Sequence, residues 1–203
     1  MRRSARALYS TSRFLSNKTD FGFKEVDMNE KERLVRNVFS SVANKYDVMN
    51  DFMSMGVHRL WKDEFVRMMG ISAAAQSDPK QVIRHLDVAG GTGDIAFRAL
   101  NTMLSSPYAT TMKEHLSKGH YVREDEKPIV VCDINPDMLE VGRSRSKTGA
   151  GGVGIGNDGY IGFIEGNAEK LPFANETFDI YTIAFGLRNV TNKNVSARAF
   201  LAG

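Results

Sequence analysis

The chain has 203 residues, 42% of them hydrophobic and 25% charged, enough for one globular domain with a buried core and too mixed for a fibrous or disordered chain. No run of eighteen apolar residues occurs, which excludes a helical membrane span in this sequence. The single cysteine, Cys132, excludes an internal disulfide and a multi-cysteine metal site; set in Ile129-Val130-Val131-Cys132, it reads as a buried, inert thiol.

The first nineteen residues carry Arg2, Arg3, Arg6, Arg13 and Lys18, four serines and no acid. That composition predicts a mitochondrial presequence, with a basic arm as the alternative. The basic pI near 9.0 comes from this segment; outside it 24 acidic residues face 22 basic ones, so charge gives no argument for nucleic-acid binding.

Leu34, Val35, Val38, Phe39 and Val42 lie at helical spacing over 30–43, and a polar, turn-prone stretch follows at 44–51. Leu60, Trp61, Phe65, Met68 and Met69 predict a second amphipathic helix, ended by Gly70. Trp61, Phe65, Met49 and Met53 are expected to pack inside rather than to line a groove. About eighty residues, largely helical, thus precede the first strand, whereas a plain dinucleotide-binding domain begins with its strand. The expected division is 1–19 presequence, 20–75 helical cap and 76–203 α/β domain.

Strands are predicted at Val82–Val88, Ile129–Cys132, Tyr160–Glu165 and Phe178–Phe185, with a helix over Pro136–Ser146. Alternation of strands and helices predicts a parallel α/β sheet. Residues 101–127 and 147–159 look like surface insertions. Gly149-Ala150-Gly151-Gly152-Val153-Gly154 matches a dinucleotide spacing but follows a charged run, not a strand, and reads as a flexible loop.

The informative stretch is Asp87-Val88-Ala89-Gly90-Gly91-Thr92-Gly93-Asp94, between an apolar strand and the helix begun by Ile95-Ala96-Phe97. Glycines allow a tight turn close to a ligand, and the helix behind offers unpaired N–H groups. Gly91, Gly93 and Ala96 also fit the NAD variant of the fingerprint. Three features favour S-adenosylmethionine. Asp133 ends the second strand, where a carboxylate can take both ribose hydroxyls, a feature both cofactors want. The loop Gly166-Asn167-Ala168-Glu169-Lys170-Leu171-Pro172-Phe173 offers an amide, backbone groups and apolar neighbours to an adenine edge. No second glycine signal or cationic clamp appears for a pyrophosphate. The turn would hold the methionyl end, with Asp87 or Asp94 near its ammonium; Asp94 can equally only cap the helix.

Phe39-Ser40-Ser41-Val42-Ala43, Lys45-Tyr46-Asp47, Met49-Asn50-Asp51, Met53-Ser54, Gly56, His58-Arg59 and Trp61-Lys62 resemble the N-terminal signature of the ubiquinone/menaquinone biosynthesis C-methyltransferases. So do Asp87–Asp94, Asp133-Ile134-Asn135, Asn167-Ala168-Glu169 with Leu171-Pro172-Phe173, and Ala184-Phe185-Gly186-Leu187-Arg188-Asn189-Val190-Thr191. The resemblance covers roughly residues 21–192, apart from both insertions, and with the basic N-terminus points to the family's mitochondrial branch. It implies a class I methyltransferase fold, strand order 3-2-1-4-5-7-6, with helices on both faces. It implies methyl transfer from S-adenosylmethionine to a ring carbon of a polyprenyl methoxy-benzoquinol in coenzyme Q synthesis. It places Thr92, Asp133, Asn167 and Ala168 on the family's cofactor positions. It further implies work on the matrix side of the inner membrane, among other coenzyme Q biosynthetic proteins.

Such a reaction needs an aligned donor and acceptor, and a deprotonated or stabilised ring hydroxyl. Arg188 keeps its proton, so it suits a clamp on the phenolate or on a polarised water. Tyr46, Asp47 and His58 belong to the covering N-terminal segment, where Asp47 or His58 can relay the proton. The last ten residues match the family poorly and the sheet's last strands are missing, so a truncated chain with an exposed fourth strand and weak or no activity is expected. The alternatives are a non-catalytic scaffold in the quinone-synthesis complex and an NAD(P)-linked oxidoreductase.

Overall fold

The computed structural model describes residues 18–21, 24–27, 33–34, 37, 54–149, 159–184, 186–187 and 190. A hairpin, β1 (Lys18–Phe21) paired antiparallel with β2 (Lys24–Asp27), straddles the expected boundary between presequence and helical cap at residues 19 and 20, and the hydrophobic pattern did not signal it. Of the helix expected over 30–43, residues 33, 34 and 37 are described, and all are helical.

Helix α1 (Val57–Met68) runs into Gly70, whose φ of 71° ends the first helix and opens α2 (Ile71–Ser77). The face α1 buries differs from the expected one. Val66 and Lys62 are buried and Phe65 and Met69 half-buried, whereas Leu60, Trp61 and Met68 are exposed, at 67%, 62% and 66%. Trp61 is therefore not a packing residue among the described elements. Phe65 and Met69 of the expected stripe pack on the main core beside Val66, and Lys62 on the buried side of the helix meets an acid of the next layer.

Four parallel strands form the sheet: β3 (His85–Val88), β4 (Ile129–Asp133), β5 (Ile161–Glu165) and β6 (Ile180–Thr182). Their spatial order is β5-β4-β3-β6, the 3-2-1-4 part of the expected order. β3 and the first four residues of β4 are buried throughout, as parallel strands covered on both faces should be. On one face α3 (Asp94–Leu104) and α5 (Pro136–Thr148) meet Ile129, Val131, Ile161 and Phe163. On the other, Leu86, Val88, Val130 and Cys132 are covered by Ala168, Leu171, Phe173 and Phe178 of the β5–β6 connection. Burial pushes the Cys132 thiol up to about 12, which makes it as inert as its apolar run predicted.

Local signals fix α5. Asn135 accepts from the backbone N–H of Asp137 (3.0 Å), Pro136 holds the first position and Gly149 closes the helix at φ 72°. The remainder of the glycine run after Gly149 lies outside the described residues.

Residues 101–127 are not a mere surface insertion. They form α4 (Tyr108–Ser117), which buries Tyr108 and Met112 in the main core. A short 3₁₀ turn, Glu124–Glu126, follows. There Glu124 accepts the Phe163 N–H at 2.7 Å and pairs with Lys127 at 2.6 Å, satisfying the outer edge of β5. Charged residues in this segment thus serve an edge strand, which is why their polarity misled.

Candidate cofactor site at the strand ends

The turn after β3 leads straight into α3. Gly91 and Gly93 stand at φ 56° and 83°, where a side chain is strained, and Gly93 is the N-cap. Thr92 is buried, at 3% exposure. Its hydroxyl accepts from Arg145 Nη1 of α5 at 2.9 Å, and that guanidinium lies 5.1 Å from the Phe97 ring centroid. Met138 of α5 closes over Gly91, where a Cβ would come within 3.0 Å of its Cε.

Asp133 joins the three strand ends. Its Oδ2 accepts the Gly91 N–H (2.9 Å) and its Oδ1 the Asn135 N–H (2.9 Å). Its backbone carbonyl accepts the Gly166 N–H at 3.0 Å, bringing in the loop after β5. Burial lifts the carboxyl above the usual range against those N–H groups, which favour the charged form. In that loop Asn167 Oδ1 accepts the Glu169 N–H at 2.8 Å, and Ala168 packs on the second core face with Leu171 and Phe173. Five of the seven expected cofactor residues (Gly91, Thr92, Gly93, Asp133 and Asn167) thus lie in the turn or in the segments Asp133 ties to it, and Ala168 follows Asn167.

The seventh, Asp87, is sealed behind the turn at 1% exposure. Its Oδ1 accepts from the Thr182 hydroxyl at 2.9 Å, while Oδ2 has no hydrogen-bond partner. Burial pushes its carboxyl up to about 7, with the Thr182 bond and, less strongly, the Ala96 N–H at the head of α3 pulling the other way.

Asp94 does not stay bare in the site. It pairs with Lys62 of α1 at 2.5 Å and with Arg98 at 3.4 Å. Burial raises its carboxyl, but Lys62 and then Arg98 outweigh that and hold it below the usual range. His58 opens α1, hydrogen-bonded through Nδ1 to Ser54 at 2.6 Å, one turn before Lys62. Tyr46, Asp47 and Arg188 lie outside the described residues. Sequence reasoning missed Lys62, His85, Arg145 and Thr182. The alternation of His85 with Asp87 on one strand face was a readable signal; Lys62 and Arg145 act across elements and gave none.

Comparison with known proteins gives the family. The model of the ubiE/COQ5 methyltransferase family matches residues 26–201. The chain is 46% identical over 177 residues to "2-methoxy-6-polyprenyl-1,4-benzoquinol methylase, mitochondrial" of Oryza sativa subsp. japonica, covering 87% of this chain and 54% of that protein. It is 44% identical over 187 residues to the protein of the same name from Danio rerio, covering 86% and 53%. It is 46% identical over 172 residues to "Ubiquinone/menaquinone biosynthesis C-methyltransferase UbiE" of Rhodopseudomonas palustris (strain BisB5), covering 85% and 56%. The chain spans about half the length of the curated relatives it matches. With the sheet order and the glycine turn, these matches set the oxidoreductase reading aside: the chain belongs to the ubiE/COQ5 methyltransferase family.

Proposed function

We propose that this chain binds S-adenosylmethionine at the ends of β3, β4 and β5 and serves C-methylation of a polyprenyl methoxy-benzoquinol in ubiquinone synthesis. The observation that carries the reading is the Asp133 junction, which ties the glycine turn and the Asn167 loop into one surface. The residues fit an aminoacyl nucleoside. An unpartnered buried carboxylate oxygen stands behind the turn, the head of α3 offers backbone donors, and Asp133 has lone pairs left for hydroxyls. Gly91, Thr92 and Gly93 would hold the amino-acid end with the Asp87 carboxylate behind them toward its ammonium, Asp133 the ribose, and Asn167 with Ala168 the adenine.

When bound, S-adenosylmethionine supplies an electrophilic methyl group on a sulfonium. Everything else falls to the protein. Arg188, six residues past Thr182, is assigned to clamp the ring oxygen as it loses its proton. Asp47, His58 and Tyr46 are assigned to the acceptor side, with Asp47 or His58 taking that proton. The covering segment would exclude water, which favours a step in which opposite charges cancel. The domain reading stays as 1–19 targeting segment, 20–75 cap and 76–203 donor-binding unit. Relatives named as mitochondrial support a mitochondrial place; we assign the chain to the matrix face of the inner membrane, beside other quinone-synthesis proteins.

Calorimetry on the 203-residue protein tests the donor assignment: S-adenosylhomocysteine should bind and NADH should not. The reverse result removes it. Methyl transfer from labelled donor to a polyprenyl benzoquinol supports catalysis; donor binding with no turnover, together with capture of quinone-synthesis proteins, supports the scaffold reading.

A further inference from the structure

Three polar side chains form a buried line behind the glycine turn. His85 and Asp87 are two apart on β3 and share a face, and the β3–β6 register sets Thr182 opposite Asp87. The Thr182 hydroxyl donates to Asp87 Oδ1 at 2.9 Å, and His85 Nε2 lies 2.7 Å from Thr182 Oγ1. All three are buried, at 0%, 1% and 5% exposure for His85, Asp87 and Thr182.

The single hydroxyl proton of Thr182 is committed to Asp87, so His85 must be the donor through Nε2–H. The imidazole is then neutral, consistent with burial holding it down at about 3. Its Nδ1 has no partner, which suits a bare lone pair better than an orphaned N–H. Both bonds therefore point toward Asp87, and both favour its charged form. The far oxygen, Oδ2, lies directly beneath Gly90: a Cβ there would come within 2.7 Å of it. Packing alone asks for none of this, since apolar residues fill a sheet interior at lower desolvation cost.

We propose that His85 and Thr182 are positioning residues that orient Asp87 beneath the glycine turn and favour its carboxylate, giving the site negative charge toward the ammonium of an aminoacyl ligand. The inference rests on the donor-binding reading above. The other ionisable groups facing Asp87 are Asp133 from β4 and Asp94 from the head of α3, and both oppose its ionisation. Lys62 and Arg98 are engaged with Asp94.

The test is binding of S-adenosylhomocysteine to the full 203-residue chain from pH 5.5 to 8.5, with 5′-methylthioadenosine, which lacks the amino-acid part, as comparison. Affinity for the first should rise with pH as Asp87 ionises. Thr182→Val should move that rise up by about one pH unit and weaken binding at neutral pH about fivefold; Thr182→Ser should restore both, and His85→Leu should move the rise in the same direction. Affinity for methylthioadenosine should be equal in all forms and flat with pH. Thr182→Cys, of similar bulk and weaker as a donor, replaces valine where that variant does not fold. A lowered melting temperature with no movement of the pH midpoint overturns the inference, as does an equal change for both ligands. Failure of the wild-type chain to bind either ligand overturns the donor-binding reading and this inference with it.

Discussion

Lys62 of α1 donates to Asp94 of α3 at 2.5 Å, and because Asp94 follows Gly93 directly, this one contact fastens the N-terminal helix to the glycine turn. Both side chains are largely withdrawn from water, at 8% and 22% exposure. A second tie, Arg98 to Asp63, lies one residue further along α1 and one turn further along α3.

Replacing Lys62 by Met should cost roughly 2–3 kcal/mol in urea unfolding at pH 7, below the full loss for a broken buried pair because Arg98 still faces Asp94. The sign with pH follows from the depressed Asp94 carboxyl. Its stabilisation is complete above the unfolded value of about 4 and is lost as pH falls through the lower native value. The difference between wild type and Lys62→Met should therefore shrink between pH 5 and pH 3. A constant difference would mean that the pair contributes through packing alone.

Asp87 and His85 tilt stability in opposite directions. Asp87, raised to about 7, contributes fully below its unfolded value of 3.8, and the contribution is lost as pH rises through 7. His85, lowered to about 3, contributes fully above its unfolded value of 6.5, and the contribution is lost as pH falls through 3. Between those limits the two slopes oppose each other. Asp87→Asn removes one of them, so relative to wild type it should gain on the order of 2–4 kcal/mol between pH 5 and pH 8, read from urea midpoints. An unchanged difference across that range would show that Asp87 titrates normally.

The parts of the molecule that were legible in the sequence are those in which neighbours along the chain do the physical work. The strand–turn–helix around Gly91 and Gly93, Pro136 in the first turn of α5 and the four apolar strands are local, and each formed at the place its pattern gave, β3 and β6 over only part of the span (His85–Val88 of 82–88 and Ile180–Thr182 of 178–185). Asp133 was legible as a strand-end acid, but its bond to Gly91 spans 42 positions and had no local trace. Of the expected apolar face of α1, Phe65 and Met69 reach the core while Leu60, Trp61 and Met68 are exposed, because periodicity reports which residues are apolar and not what the next layer offers them, here Asp94 to Lys62. Residues 101–127 were misread for the converse reason, since two buried side chains, Tyr108 and Met112, hide in a polar composition.

Arg145 clamps the turn from α5, donating to Thr92 Oγ1 while stacking near Phe97. Arg145→Leu deletes a charged hydrogen bond and the ring contact, worth about 1.5–3 and 0.5–1 kcal/mol respectively. The expected outcome is S-adenosylhomocysteine binding about tenfold weaker by calorimetry. Arg145→Lys should recover part of it, because an ammonium reaches the hydroxyl without the planar stack. Equal affinity in all three proteins would show that Thr92 needs no clamp.

Gly186, past the end of β6, lies against the glycine turn itself: a Cβ at this position would fall on the Cβ of Ala89, which already stands at φ 52°. The segment that leads on to Arg188 and the turn that would hold the donor therefore touch at one point with no room for a methyl group. Gly186→Ala should force them apart, destabilising the protein by about 1–3 kcal/mol and weakening S-adenosylhomocysteine binding. Ala89→Gly removes the opposing methyl and relieves a positive φ, so it should be neutral or stabilising alone and should restore much of the loss in the double variant. A double-mutant cycle in urea unfolding and in ligand affinity reads the coupling directly. Strictly additive effects would mean that the contact transmits nothing between Gly186 and the glycine turn.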